Sequence, residues 1–223
     1  MERIAHRGAK RELPENTLGA FIRAFERRAD AVELDVHATR DGVVIVHHDP
    51  VLAASYGDLG GRAIAELDWP ALANATVASA NRVPRLSEVL AIAPAGATVY
   101  VEIKGAGIDA RVAEAIKGTR ARCAVHSFDH AAVRRMRELA PDVPRGLLFD
   151  QPPADVQAAM ADAGARDVWP ERTLIDAPLV KNVHEAGGRV IAWTVNDPAA
   201  AAKLVALGVD GLCTDDVRLL DGL

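Results

Sequence analysis

Residues 98–128 read TVYVEIKGAGIDARVAEAIKGTRARCAVHSF. TVYVEIK is a strand-forming run whose only charges, Glu102 and Lys104, come at its end. IDARVAEAIKG, at 108–118, has helical spacing, and CAVHSF returns to a strand. Strand, helix and strand within about thirty residues is the unit of a parallel sheet, because parallel neighbours must be joined by a crossover. The same rhythm extends in both directions. Upstream stand the strand RIAH and the helix TLGAFIRAFERR, which places Leu18, Phe21, Ile22 and Phe25 on one face with Asn16 as its expected N-cap. AVELDVHAT follows, and an Asp41-Gly42 turn carries it back through DGVVIVHHD as a hairpin. The next helix is RLSEVLAIA. Downstream come DHAAVRRMRELA capped by Asp129, PRGLLF, PADVQAAMADAG ending at Gly164, RDVWP, APLVKNVHEAGG and RVIAWTV. The chain closes with DPAAAAKLVALG, which has Asp197 as cap, Pro198 in its first turn and Gly208 at its end, and with the strand VDGLCT.

That makes eight strand–helix units with strands apolar on both faces, the pattern of a parallel sheet covered by helices. In a chain of 223 residues it predicts one α/β domain spanning residues 1–223, a closed (β/α)8 TIM barrel. An open doubly wound sheet is the competing architecture, and no GxGxxG follows the first strand to favour it. Residues 50–84 break the rhythm with weak periodicity and read as an insertion, or lid, after the second strand.

Hydrophobic residues make up 50% and charged residues 26%, ordinary for a soluble domain. The formal net charge of −5 offers no general basic field for nucleic acid or an anionic membrane. Cys123 and Cys213 sit singly in apolar runs and read as core residues. No leader and no long apolar run is visible, so a cytoplasmic protein without stable membrane insertion is expected. The oligomeric state is not indicated.

In such a barrel, chemistry gathers where strands end. The first strand ends in His6-Arg7. The second carries Glu33 and Asp35, two apart and therefore on one face, with His37 continuing that face. Its continuation ends in His47-His48-Asp49, the next strand carries Glu102 and Lys104, and a late strand ends in Trp193 and Asn196. Three converging carboxylates repel one another unless a cation joins them, and hard oxygen ligands suit Mg²⁺, Ca²⁺ or Mn²⁺. Pairing of Glu33 and Glu102 with Arg7 and Lys104 as structural ion pairs is the alternative. Arg7 and Lys104 suit phosphate. Histidine is the side chain suited to proton transfer near neutral pH, and His6 and His48 could share acid and base duties. Trp193 offers a pocket wall. Together these groups point to metal-assisted phosphoryl chemistry.

With these residues in view the sequence resembles the glycerophosphodiester phosphodiesterase family. The matching stretches are HRG at 6–8, PENT at 14–17, VELDVHATRDGVVIVHHD at 32–49, VEIK at 101–104, HSFD at 126–129, AWTVND at 192–197 and GVDGLCTD at 208–215. The resemblance implies a (β/α)8 barrel with an insertion after the second strand. It implies a phosphodiesterase that hydrolyses small glycerophosphodiesters to sn-glycerol 3-phosphate and an alcohol. It makes His6 and His48 the catalytic pair, and Glu33, Asp35 and Glu102 the ligands of one divalent cation. Arg7 and Lys104 would hold phosphate. His48 is preferred to His47 because the family's histidine directly precedes the aspartate. PENT would buttress His6 and Arg7, with Glu15 in the metal-side polar network, on the substrate glycerol, or in a structural loop hydrogen bond. Thr214 and Asp215 read as loop caps below the chemistry. The Arg-Thr pair that often follows the family's HHDPVL is missing here, which leaves the lid and the choice of alcohol open. Two other functions remain. A lysophospholipase D would need an apolar channel, for which Leu52, Leu59, Ile64 and Leu67 are the candidates. A phosphate-ligand binder without catalysis would not need two titrating histidines.

Overall fold

The structure, a computed structural model, describes residues 1–77 and 81–222. In chain order, β1 (Glu2–His6), α1 (Leu18–Glu26), β2 (Ala31–Ala38) and β3 (Val44–Val46) come first. The insertion holds α2 (Trp69–Leu72), β4 (Thr76–Val77) and β5 (Asn81–Arg82). The rhythm then resumes with α3 (Leu86–Ile92), β6 (Thr98–Ile103), α4 (Asp109–Ile116), β7 (Arg122–Ser127) and α5 (His130–Leu139). It continues through β8 (Arg145–Phe149), α6 (Val156–Ala163), β9 (Asp167–Pro170) and α7 (Ala177–Glu185). It ends with β10 (Arg189–Ala192), α8 (Pro198–Leu207) and β11 (Gly211–Thr214).

The parallel strands run in the order β1-β2-β6-β7-β8-β9-β10-β11, and β11 pairs with β1 to close the circle. This is the (β/α)8 barrel, and the open sheet is excluded. β3 is antiparallel to β2, with Val36 opposite Val46 and Ala38 opposite Val44, so the Asp41-Gly42 turn makes the expected hairpin. Gly42 sits at φ 92°, a left-handed position that suits glycine.

Inside the barrel, each of the eight strands contributes one buried residue to a plug: Ile4, Ala31, Tyr100, Ala124, Leu148, Trp169, Ile191 and Cys213. Large and small residues are matched across it. Gly146 is needed beside Trp169, because a Cβ there would lie 2.9 Å from the indole and 3.2 Å from the His126 Cβ. Side chains two residues further along each strand share the inward face and emerge above the plug. That step carries Ile4 to His6, Ala31 to Glu33, Tyr100 to Glu102 and Ala124 to His126.

Helix ends follow the sequence signals except at α1. Asp129, Asp155, Asp176 and Asp197 cap their helices, and Gly164 and Gly208 end theirs in left-handed conformations. The N-cap of α1 is Thr17, whose hydroxyl accepts from the Ala20 amide, and not the expected Asn16. Asn16 adopts φ 57° and turns its side chain to Asp35 instead.

The insertion packs as a satellite. Ile45, Leu52, Ile64, Leu67, Leu72 and Val83 form their own buried cluster, with Tyr56, Leu59 and Trp69 against it. The four side chains read as lining for an apolar channel are therefore used inside the insertion. Cys123 and Cys213 are both free; Cys213 is buried and Cys123 half-buried. No helix among the described residues is long and apolar enough to cross a membrane.

Candidate active site

The turn after β1 is built from two left-handed residues in a row, Arg7 at φ 58° and Gly8 at φ 83°. Gly8 is obligatory: a Cβ there would come within 2.8 Å of the Ala20 Cβ. A left-handed arginine costs roughly 1–2 kcal/mol and is held here by its neighbours. The Arg7 amide donates to the Glu33 carbonyl at 2.9 Å and lies 3.2 Å from Glu33 Oε2, while the Arg7 carbonyl accepts from the Asn16 amide at 3.0 Å. The PENT loop is thus tied directly to HRG. Glu15 joins Arg7 Nη1 and Lys10 Nζ, each at 2.8 Å, so its place is in the cationic network. Its carboxyl is half-buried, which raises its pKa, but Lys10 and Arg7 outweigh that and hold it below the usual range.

Strand register aligns the polar residues. His6 pairs with Glu33, Asp35 with Glu102, and Glu102 with His126. Glu33 and Asp35 are buried, as is Glu102. Asp35 is held by cations and an amide: Arg7 Nε at 3.0 Å, Lys104 Nζ at 3.6 Å and Asn16 Nδ2 at 2.8 Å. Burial works to raise its pKa, but Arg7, Asn16 and Lys104 prevail and hold it down. Glu33 has only the Arg7 amide at 3.2 Å, and Glu102 only Lys104 Nζ at 3.1 Å, fewer partners than Asp35 has. Burial, and then the Asp35 charge, pushes each carboxyl up to about 7.

Glu33, Glu102 and His126 bring one donor atom each to within 4.8 Å of one another, the one such grouping among the described residues. A cation bound through ligand distances of about 2–2.5 Å draws its ligands no more than about 5 Å apart. Asp35 stands beside this trio and keeps Oδ1 without a hydrogen bond. Buried carboxylates that repel each other, together with orphaned acceptors, fit a divalent cation.

His6 Nδ1 lies 2.6 Å from Asp215 Oδ1, and Asn196 Nδ2 supports the other carboxylate oxygen at 2.7 Å. Half-burial raises Asp215, but the bond to His6, with Lys10 and Asn196, brings it down to about 2. Asp215, read from the sequence as a loop cap, is thus bonded to the His6 imidazole. His48 Nδ1 meets Asp49 Oδ1 at 2.7 Å, and buried His37 Nε2 lies 3.0 Å from the His48 carbonyl. His47 turns away and packs edge-on against Tyr56.

His6, Arg7, Glu33, His48, Glu102, Lys104 and Trp193 all line one cavity of about 220 Å³, and His47 does not. Trp193 follows β10 directly, donates Nε1 to the Trp169 carbonyl at 2.8 Å and meets Phe128 edge-on at 5.5 Å. His126, Trp169 and Cys213 complete the floor. His126 is the lining group that the residues alone did not single out. HSFD offered a signal, a histidine two residues after an inward alanine, and only strand register shows that it lands beside Glu102.

Residues 6–219 match the model of the Glycerophosphoryl diester phosphodiesterase family. A glycerophosphodiester phosphodiesterase of Caldanaerobacter subterraneus subsp. tengcongensis is 32% identical over 234 residues, covering 99% of this chain and 96% of that one. The crystal structure of glycerophosphodiester phosphodiesterase from Thermotoga maritima aligns with TM-score 0.82 and 25% identity, over 99% of this chain and 97% of that one. A phosphodiesterase of Oleispira antarctica, solved in complex with the product sn-glycerol-3-phosphate, shares the fold with TM-score 0.91 at 24% identity, over 99% and 95% of the two chains. With a family match over nearly its whole length, the chain belongs to the glycerophosphoryl diester phosphodiesterase family and is an enzyme of that class, a phosphoric diester hydrolase.

Proposed function

We propose that the protein is a metal-dependent hydrolase of small glycerophosphodiesters, releasing sn-glycerol 3-phosphate and an alcohol. The observation that carries this reading is the single cavity in which two aspartate-paired histidines face two cations and a set of buried carboxylates. Glu33, Asp35 and Glu102 hold the divalent cation, of the Mg²⁺, Ca²⁺ or Mn²⁺ kind. When bound, it supplies positive charge against the phosphoryl oxygens. Arg7 and Lys104 bind the phosphate from the same side, each anchored through Asp35. Trp193, braced by Phe128, presents an aromatic wall to the glycerol C–H face.

Both histidines bond an aspartate through Nδ1, which leaves Nε2 as the nitrogen that exchanges a proton. The two aspartates differ in shielding, with 15% of the Asp215 side chain exposed against 64% for Asp49. A shielded carboxylate stabilises an imidazolium more strongly. His6 is therefore the base, taking the proton of the attacking hydroxyl. His48 is the acid that protonates the leaving alkoxide.

Turnover of glycerophosphocholine tests this reading. Chelation should abolish activity and Mg²⁺, Mn²⁺ or Ca²⁺ should restore it; full activity in chelator after exhaustive dialysis defeats the metal reading. Thermal stability should also fall on chelation, since the cation binds only the folded site.

A further inference from the structure

His126 is 1% exposed, and neither of its ring nitrogens has a hydrogen-bond partner. A buried imidazole normally satisfies at least one of them. Its surroundings explain its position without supplying that partner. The ring is clamped between aromatic faces: Trp169 stands edge-on at 4.3 Å between centroids, and Tyr100 stacks at 6.2 Å. Gly146 leaves the room that lets Trp169 close in. The clamp aims Nε2 at the carboxylates, 3.7 Å from Glu33 Oε1, too far for a hydrogen bond and close enough to share an ion. Register places His126 next to Glu102 on the adjoining strand, as Glu102 is next to Asp35.

We propose that His126 Nε2 is a ligand of the cation, so that this chain's site mixes a nitrogen with its carboxylate oxygens. The inference rests on the metal reading above and adds a consequence to it. Ca²⁺ and Mg²⁺ take oxygen ligands and gain little from imidazole, whereas Mn²⁺, Co²⁺ and Zn²⁺ accept it readily. The site should therefore prefer transition ions to Ca²⁺ by a margin that His126 sets. The alternative is a structural histidine held by packing alone, which would leave the ion's ligands all oxygen.

Pulsed EPR of Mn²⁺ bound to the full, dialysed protein tests this. Coupling of the metal electron to an imidazole ¹⁴N is expected, and it should shift to the ¹⁵N pattern when the protein carries ¹⁵N-histidine. The coupling should vanish in His126→Gln and persist in His6→Gln and His48→Gln, which controls for the other histidines on the cavity. By titration calorimetry, His126→Gln should lose about tenfold or more in Mn²⁺ affinity while Ca²⁺ affinity stays within about threefold. If Mn²⁺ binds the unmutated protein without nitrogen coupling, or if the coupling survives in His126→Gln, the inference is overturned and the metal reading stands. If the dialysed protein binds no Mn²⁺, both fall. The measurement on unmutated protein decides the point even if His126→Gln folds poorly.

Discussion

The two ends of the barrel are built from the same kinds of residue and treat them in opposite ways. At the N-terminal end of the strands, Glu2 accepts from Tyr100 Oη at 2.8 Å and from Arg189 Nη2 at 2.6 Å. Asp167, 1% exposed, is bonded by Arg166 at 2.6 and 2.9 Å and faces Arg189 at 3.5 Å. Every buried carboxylate there has a guanidinium. At the other end neither Glu33 nor Glu102 has a guanidinium ion pair: Arg7 Nε goes to Asp35, and Glu102 has only the ammonium of Lys104, at 3.1 Å and shared with Asp35. The larger cavity, about 1010 Å³, lies at the satisfied end, and the smaller one lies over the unsatisfied groups. Volume therefore says less about where chemistry occurs than unmet electrostatic demand does.

The sharpest way to break this contrast is to remove the proton carriers at the unsatisfied end. His6→Ala and His48→Ala should each lower kcat by roughly 10²–10⁴-fold, while His47→Ala stays within about tenfold. A p-nitrophenyl diester, whose leaving group needs little protonation, should rescue His48→Ala and leave His6→Ala impaired; the reverse pattern exchanges the two roles. Asp215→Asn should follow the His6 phenotype more weakly, by roughly 10–10²-fold, because it removes the orienting charge and keeps the base. An unchanged pH–rate profile in that variant would separate Asp215 from the chemistry.

At the satisfied end the expected effect is on stability alone. Arg189→Met removes the bonds to Glu2 and Tyr100 and leaves Asp167 with Arg166. A loss of roughly 1–3 kcal/mol, or about 3–10 °C in Tm, should result, with kcat within about twofold. A large fall in kcat without a fall in Tm would mean that the two ends are coupled.

The smallest effect sharpens the comparison through pH. A buried acid whose folded pKa is raised favours the folded state fully below its unfolded value near 4.5, and that advantage is lost as pH climbs to about 7. Glu33→Gln cannot ionise. In chelator, Tm of the variant minus Tm of the parent should therefore rise from about pH 4.5 to about pH 7 and level off above. A flat difference would show that Glu33 is not strained. With cation present the sign should invert, because the ion then favours the carboxylate.

The barrel was legible in the chain because its strands are apolar on both faces and each helix carries its own cap and stop. His6, Arg7, Glu102, Lys104 and His48 were legible because they lie at or next to strand ends, and Glu33 and Asp35 because their two-residue spacing puts them on one face of β2. What escaped depended on long-range register and on side-chain choice between partners. Asp215 lies 209 residues from His6, and nothing local says that the first and last strands adjoin. Asn16 has the chemistry of a helix cap, but buried Asp35 is a stronger claim on its amide than a helix end that Thr17 can serve. Leu52, Ile64 and Leu67 are apolar in a loop-like segment, and only the packed insertion shows that they face one another. The paired network of Glu2, Tyr100, Asp167 and Arg189 draws on four strands and leaves no local pattern at all.

The hydrogen bond from the amide of left-handed Asn16 to the carbonyl of left-handed Arg7 has a kinetic consequence. The amides of Arg7 and Asn16 sit in what is formally a loop, yet one is bonded to the second strand and the other to Arg7 itself. Neither can open without breaking contact with the barrel wall. In deuterated solvent both should exchange as slowly as strand amides, on the timescale of wide unfolding rather than loop breathing. The backbone that carries Arg7, the proposed phosphate clamp, is thus preorganised before any substrate arrives.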